Sequence, residues 1–230
     1  MIVLAVSKKT MPDYKTPADL KGKKIGVTAP GSSTNMMTSF FLAQHGLKPT
    51  DVSFVGVGAG AGAITALRTG QVDAMANLDP VISTLVKEDI VTIIADTRTI
   101  KDTKSIFGGN MPSGCLYTSQ AFIDKNPNVT QALANAMVRA DKWIQSASPD
   151  DIAKVVPESY LLGDPELYKL ALKGNMEALS PDGRVAEDGP ETALKSLAAF
   201  VPKFDASAID LSKVWTNDFV NKANEKYPNA

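Results

Sequence analysis

The spacing of apolar residues between positions 15 and 96 switches repeatedly between two periods. Alternation of apolar with small or polar residues is typical of strands, whereas an apolar spacing of three to four residues is typical of helices. The pattern predicts strands at residues 25–29, 52–57, 72–77 and 90–95, separated by helices at residues 34–45, 61–68 and 80–87. Strands that alternate with helices through short turns indicate an α/β fold built on a parallel sheet.

This alternation ends after residue 96. Residues 97–112 are polar and contain two adjacent glycines, which favours a long irregular connection. Residues 2–6 and 113–119 are predicted as further strands, because both are short apolar stretches. The remainder is predicted to be helical, at residues 120–125, 129–146, 149–156, 165–179, 190–200 and 212–223.

Three of the predicted strands end in turns rich in small or polar residues. In parallel α/β sheets, ligands bind beyond the carboxyl ends of the strands, so these turns predict a binding site at one edge of the sheet. The predicted ligand-binding residues are Gly31, Ser32, Ser33, Thr34, Asn35, Gly58, Ala59, Asn77 and Asp79. Asp79 suits an amine or a ring N–H of the ligand, but it precedes a proline and could equally cap the next helix.

The first of these turns, PGSSTN, precedes a predicted helix. Unpaired N–H groups, hydroxyl donors and the helix dipole suit a carboxylate, sulfonate or phosphate at such a position. We therefore expect the hydroxyls of Ser32, Ser33 and Thr34 to face a cleft or groove. Ordinary helix capping without any ligand is the alternative.

The second turn, residues 58–63, matches the permissive dinucleotide fingerprint G-x-G-x-x-A, with Asp79 about twenty residues further on. It predicts an alternative function, a nicotinamide-dependent oxidoreductase. The following predicted helix is short, however, and the hydroxyl-rich turn belongs to a different strand, where the fingerprint assigns no role. If Gly58 and Gly60 instead serve a tight turn, at least one of them should have a positive φ or lie against a neighbouring backbone.

Composition narrows the class of protein. The chain has 230 residues, a hydrophobic fraction of 44% and a net charge of −1, which indicates a globular protein without the basic surface that nucleic acid requires. The opening residues, MIVLAVSKK, are too short for the hydrophobic region of a signal peptide, so we expect no signal sequence in this chain.

A single cysteine and a single histidine limit the available chemistry. Cys115 is predicted to be a buried strand residue, and His45, followed by Gly46, is predicted to end a helix. A multi-cysteine metal site and a Ser–His triad both need more residues of these types. We therefore predict no catalytic residue, no metal site and no cofactor, which is typical of a binding protein.

Three segments together resemble the solute-binding proteins of ABC importers, in particular the nitrate, sulfonate, taurine and thiamine-precursor group: YKTPADLKGKKIGVTAPGSSTN, FVGVGAGAGAITALRTGQVDAMANLDP and GCLYTSQAFIDKNP. This resemblance implies a type II periplasmic-binding-protein-like fold, with a ligand held between two α/β lobes. It implies a crossover strand and linker at residues 1–14, lobe two at 15–112, and a return strand with C-terminal helices of lobe one at 113–230.

The resemblance also implies a small-molecule ligand, an ABC permease as membrane partner and a periplasmic or extracytoplasmic location. The parallel sheet of lobe two is complete in this division, whereas the sheet of lobe one is largely absent. The C-terminal helices carry apolar side chains spaced to cover a sheet, namely Leu133, Met137, Trp143, Leu170, Met176, Leu194, Leu197 and Phe200. We therefore expect these side chains to pack on lobe two or on a second copy of the chain, and we favour a homo-oligomer.

Overall fold

A five-stranded sheet lies at the centre of residues 1–112, which we call the sheet lobe. The structure, a computed structural model, describes residues 1–161, 163–201 and 203–228. The strands are β1 (Val3–Ser7), β2 (Lys24–Val27), β3 (Ser53–Gly56), β4 (Ala74–Asn77) and β5 (Val91–Asp96). Their order across the sheet is β3-β2-β4-β1-β5.

The direction of β1 corrects the prediction of a parallel sheet. Strand β2 pairs in parallel with β3 and β4, whereas β1 runs antiparallel to both β4 and β5. All five residues of β1 are buried, as expected for a strand covered on both faces. Apolar spacing reveals that residues 2–6 form a strand but not where they insert, because the pairing partners lie about seventy or more residues away.

The structure contains ten α-helices in the described ranges. They are α1 (Ser33–Gln44), α2 (Ala61–Thr69), α3 (Val81–Lys87), α4 (Ile100–Phe107), α5 (Gln120–Lys125), α6 (Pro127–Ser146), α7 (Pro149–Val155), α8 (Pro165–Asn175), α9 (Gly189–Phe200) and α10 (Asp218–Lys226). None of the helices within those ranges combines the length and the hydropathy needed to cross a bilayer.

Helix α4 is a correction to the irregular connection predicted for residues 97–112. Its start is capped by the Thr99 hydroxyl, which accepts the Asp102 N–H, and its end is closed by Gly108 with φ 79°. These are ordinary helix start and stop signals. Because polar residues dominate the segment, the spacing of its apolar residues does not predict this helix. Helix α10 also begins later than predicted, at Asp218 instead of residue 212.

Residues 113–119 do not form the predicted strand. They are exposed and irregular, and Cys115 is exposed where the sequence predicts a buried residue. A strand requires a neighbour that accepts and donates its backbone hydrogen bonds. Within the described ranges, none of the five strands pairs with this segment. Its apolar composition alone is therefore not sufficient for regular structure.

The helices cover the sheet on both faces. Helices α1 and α4 pack on one face over a core that includes Leu4, Ile25 and Met37. Helices α2 and α3 cover the other face over a core that includes Leu67 and Met75. This layered arrangement leaves the carboxyl ends of β2, β3 and β4 together at one edge of the sheet lobe.

The end of α1 agrees with its prediction. His45 is the C-terminal cap, and its Nδ1 lies 2.8 Å from the Phe41 carbonyl oxygen. Gly46 follows with φ 76°, the left-handed conformation that commonly ends a helix. The single histidine therefore has a local structural role at the end of the helix.

The C-terminal helices have two different surroundings. Helices α8 and α9 pack against α3 and α1 of the sheet lobe, whereas α6 packs against α10. Thr130, Ala134 and Val138 of α6 are buried, whereas Leu133 and Met137, which lie beside this buried stripe, are exposed. Part of the apolar surface expected on these helices is therefore exposed on the single chain.

Candidate functional site

The turn between β2 and α1 is closed by three hydroxyl groups. The Oγ1 of Thr34 accepts the Thr28 N–H at 3.0 Å and lies 3.0 Å from Thr28 Oγ1 and 2.7 Å from Ser32 Oγ. Thr34 is fully buried, so its hydroxyl stabilises the turn from inside instead of facing a groove as the sequence predicts. Local sequence cannot distinguish these cases, because a hydroxyl serves a ligand and a turn equally well.

The neighbouring residues of this turn are held in the same way. Asn35 is buried, and its Oδ1 accepts the Gly31 N–H at 2.9 Å, while the Ser32 hydroxyl accepts the Asn35 N–H at 3.4 Å. Ser33 is exposed at the first position of α1. Among the residues that the structure describes, the N–H groups of Ser33 and Thr34 have no hydrogen-bond acceptor. Because Thr34 has no exposed surface, the exposed donors of the turn are the amide and the hydroxyl of Ser33.

The turn after β3 lies directly beside the first one. The Gly58 N–H donates to the Thr28 carbonyl at 3.2 Å, and the Val57 N–H donates to the Val27 carbonyl at 2.8 Å. Gly58 has φ 73°, which confirms the prediction of a positive φ at one of the two glycines. The starts of α1 and α2 are therefore neighbours at the same edge of the sheet.

The turn after β4 is tied to the second turn by Asn77. This side chain is fully buried, and its Nδ2 donates to the Gly58 carbonyl at 2.9 Å while its Oδ1 accepts the Leu78 N–H at 2.9 Å. Both functions of the amide are thus used inside the protein. Asn77 orders the edge of the sheet instead of presenting free groups to it.

The carboxylate of Asp79 is engaged at both oxygens. Its Oδ1 accepts the Ser83 N–H at 2.9 Å and the Ser83 hydroxyl at 2.6 Å, so the capping alternative is realised. Its Oδ2 accepts the Asn175 side-chain N–H at 2.7 Å and lies 3.5 Å from Arg98 Nη1. Asn175 comes from α8, 96 residues away, and no local pattern could have indicated it.

Arg98 is a residue of this edge that the sequence analysis missed, although it follows the carboxyl end of β5. Its Nε lies 3.0 Å from both carboxylate oxygens of Asp96, and its Nη2 donates to Asp96 Oδ2 at 2.6 Å. The hydrogen bonds that Arg98 donates to Asp96 are the largest cause of the raised pKa of Arg98, although partial burial opposes them. Two carboxylates, Asp96 and Asp79, therefore neutralise this guanidinium.

These contacts divide the edge into two halves. The half formed by the turns after β2 and β3 presents open donors, with Gly31, Ser33, Gly58 and Ala59 exposed. The half formed by the ends of β4 and β5 is occupied by its own ion pairs and hydrogen bonds. We call the first half the donor side and the second the closed side. Across the described ranges, no group of three or more metal-ligating side chains is present.

Comparison with known proteins adds a family and several similar structures. The model of the NMT1-like family matches residues 3–157. A protein of known structure from Bordetella bronchiseptica RB50 is 68% identical, with a TM-score of 0.95 over 100% of this chain and 72% of its own. The periplasmic aliphatic sulphonate binding protein SsuA from Escherichia coli is 23% identical, with a TM-score of 0.66 over 94% of this chain and 65% of its own.

A curated relative is the nitrate/nitrite binding protein NrtA from Nostoc sp. (strain PCC 7120 / SAG 25.82 / UTEX 2576). It is 24% identical over 143 residues, which cover 61% of this chain and 31% of the relative. The chain thus spans about a third of the curated relative that it matches. The fold is that of the periplasmic-binding-protein-like structures, and, because the family model matches more than half of its length, the chain belongs to the NMT1-like family.

Proposed function

We propose that the chain binds a small organic anion on its donor side, as the substrate-binding component of an ABC importer. The anionic group, a sulfonate or carboxylate, accepts hydrogen bonds from the amide and the hydroxyl of Ser33. The positive end of the α1 dipole adds to the attraction. The observation that carries the proposal is the unpaired amide of the exposed Ser33 at the start of α1.

The choice of ligand class rests on the donor side and on the relatives. Its exposed groups are the Ser33 amide and hydroxyl and several small residues, which an oxyanion can approach closely without steric hindrance. Proteins named as sulphonate-binding and nitrate-binding share the fold or the sequence pattern. A heterocyclic ring with an anionic substituent also fits this description, because the edge is open beyond Gly58 and Ala59.

We further propose that the protein binds its solute without transforming it, and that it delivers the solute to a permease from an extracytoplasmic location. The support is the family resemblance together with the closed side, where the strongest charges are already paired with one another. The Ser83 hydroxyl does donate to the Asp79 carboxylate, but Ser83 is buried and the same carboxylate oxygen caps α3, so this pair is not arranged as a nucleophile and its base.

A carboxylate placed at Ser33 tests the proposal. The Ser33→Asp variant should fold normally, because an acidic residue in the first turn of a helix is favourable. The same carboxylate should repel an anionic ligand and occupy the hydrogen-bond donors that the ligand would use. We expect the affinity for methanesulfonate, measured by calorimetry, to fall by at least about tenfold, which corresponds to the loss of one or two charge-assisted hydrogen bonds.

Gln120→Asp is the matched control, since Gln120 occupies the same first position in α5 behind a serine cap. It should leave methanesulfonate affinity unchanged. The proposal is wrong if neither methanesulfonate, nitrate nor small carboxylates bind, or if Ser33→Asp binds them as well as the unchanged protein.

The structure gives little support to the alternative function, a nicotinamide-dependent oxidoreductase. The fingerprint strand β3 lies at the edge of the sheet, and the helix after it has nine residues. The carboxylate that would hold the ribose, Asp79, is engaged with Ser83 and Asn175. A thermal-shift measurement with NAD and NADP beside the anion series separates the two functions, since stabilisation by the dinucleotides alone would favour the oxidoreductase.

A further inference from the structure

We infer that Asn175 is a positioning residue that holds α8 over the closed side, and so confines an anionic ligand to the donor side. The inference rests on the proposed function for the identity of the ligand. Its structural part, the attachment of α8 to the edge of the sheet, is independent of any ligand.

The attachment is formed at the last turn of α8. Asn175 is 8% exposed, and its Nδ2 donates to Asp79 Oδ2 and to the Ala171 carbonyl, both at 2.7 Å. Two residues further on, Glu177 Oε1 accepts the Ile100 N–H at 3.2 Å. The end of α8 therefore contacts the residues that follow both β4 and β5.

A second contact fixes the opposite end of the helix. Lys87 Nζ, at the end of α3, lies 2.9 Å from Asp164 Oδ2, and Asp164 caps α8 by accepting the Leu167 N–H at 2.9 Å. This pair is exposed and contributes little by itself. The buried Asn175–Asp79 hydrogen bond is consequently the stronger determinant of where α8 lies.

The charges around Asp79 determine what the Asn175 amide contributes. Arg98 is shared between Asp79 and Asp96, so two carboxylates face one guanidinium. The Asn175 amide satisfies the remaining demand of Asp79 Oδ2 without adding charge. If this donor is lost, an underpaired carboxylate lies beside the turns that the anion has to approach, and it repels the anion.

Reversing the hydrogen bond tests this role. Asn175→Asp places two carboxylates in contact, and we expect backbone hydrogen exchange in α8 to rise about tenfold or more. In Asp79→Asn/Asn175→Asp the amide is on the other side: its oxygen can still cap Ser83, and its N–H₂ can donate to the new carboxylate. Exchange in α8 should then return to within about threefold of the unchanged protein.

We expect the affinity for methanesulfonate to change in the same variants as the exchange rates of α8. Methanesulfonate affinity should fall about tenfold in Asn175→Asp and recover in the double variant. Asn128→Asp, an identical change at an exposed position of α6, should alter neither quantity. The inference is overturned if the double variant exchanges as fast as Asn175→Asp, or if it recovers exchange without recovering affinity. Failure of the unchanged protein to bind methanesulfonate would instead count against the proposed function, while the exchange rates still decide the attachment of α8.

Discussion

The backbone N–H of Thr28 donates to the side-chain hydroxyl of Thr34 across the turn at the end of β2. This contact joins the last residues of a strand to the first turn of a helix, and Thr34 lies there without any exposed surface. A buried hydroxyl that serves several partners is costly to remove, because each partner is left without its hydrogen bond.

Thr34→Val preserves the shape of the side chain and removes the hydroxyl. We expect a loss of about 1–3 kcal/mol in the free energy of unfolding, since the Thr28 N–H becomes unsatisfied in a buried site. Urea denaturation measures this loss. Thr65→Val is the control, because that exposed hydroxyl donates to a helix carbonyl, and its removal should change stability by less than about 0.5 kcal/mol.

The two glycines of the second turn should respond differently to substitution. Gly58 has φ 73°, so Gly58→Ala forces a side chain into the left-handed region and should destabilise the protein by about 1 kcal/mol. Gly60 has φ −138° and open space around its Cα, so Gly60→Ala should cost much less. Equal losses of stability in the two variants would contradict this distinction.

The stability of the protein should depend on the ionisation of Asp141. Partial burial, followed by the charge of Asp182, raises the pKa of Asp141 above its ordinary value of 3.8. The ionised form is therefore less favourable in the folded than in the unfolded protein, and this penalty develops as the pH rises from 3.8 through the raised folded pKa. Asp141→Asn should increase the free energy of unfolding at neutral pH.

The difference between Asp141→Asn and the unchanged protein should shrink as the pH falls and vanish below 3.8, where the carboxyl group is protonated in both states. Asp150→Asn is a suitable comparison, because a hydrogen bond from Lys169 lowers the pKa of Asp150. It should give no stabilisation at neutral pH. Urea titrations of both variants over this pH range provide the measurement.

The exposed side of α6 should promote self-association. Val129, Leu133 and Met137 are spaced by four residues and are each more than two-fifths exposed. Covering such side chains is favourable by roughly 1.5–3 kcal/mol for each one that becomes fully buried. We expect light scattering to detect dimers or larger species that Leu133→Asp disperses. Val155→Asp, at an exposed apolar position of α7, should leave the mass unchanged, and a monomer at all concentrations would refute the expectation.

Local pattern was sufficient for most helices and strands of this chain. Gly70, for example, ends α2 in the left-handed conformation, where a glycine after an apolar stretch signals a helix end. Long-range pairing decided the features that the sequence did not predict. The direction of β1 depends on β4 and β5, and residues 113–119 lack a neighbouring strand in the described ranges.

The sequence predicts where the candidate site lies, but not the contacts that its side chains make. The sequence correctly predicts that Gly31, Gly58 and Asp79 lie at one edge of the sheet, because each of them follows the end of a strand. Whether a polar side chain there faces outward depends on competition between a ligand and the turn itself. At Thr34, Asn77 and Asp79 the protein already supplies the partner, and in the last case it does so from α8.

The position of β1 also bears on how the chain is made. Among the five strands β1 is synthesised first, yet it lies between the two that are synthesised last and pairs with Ala74–Asn77 and Val91–Asp96. During synthesis its apolar residues have no partner strand until Ala74–Asn77 has been made. Such distant pairing slows folding and prolongs the exposure of an aggregation-prone segment.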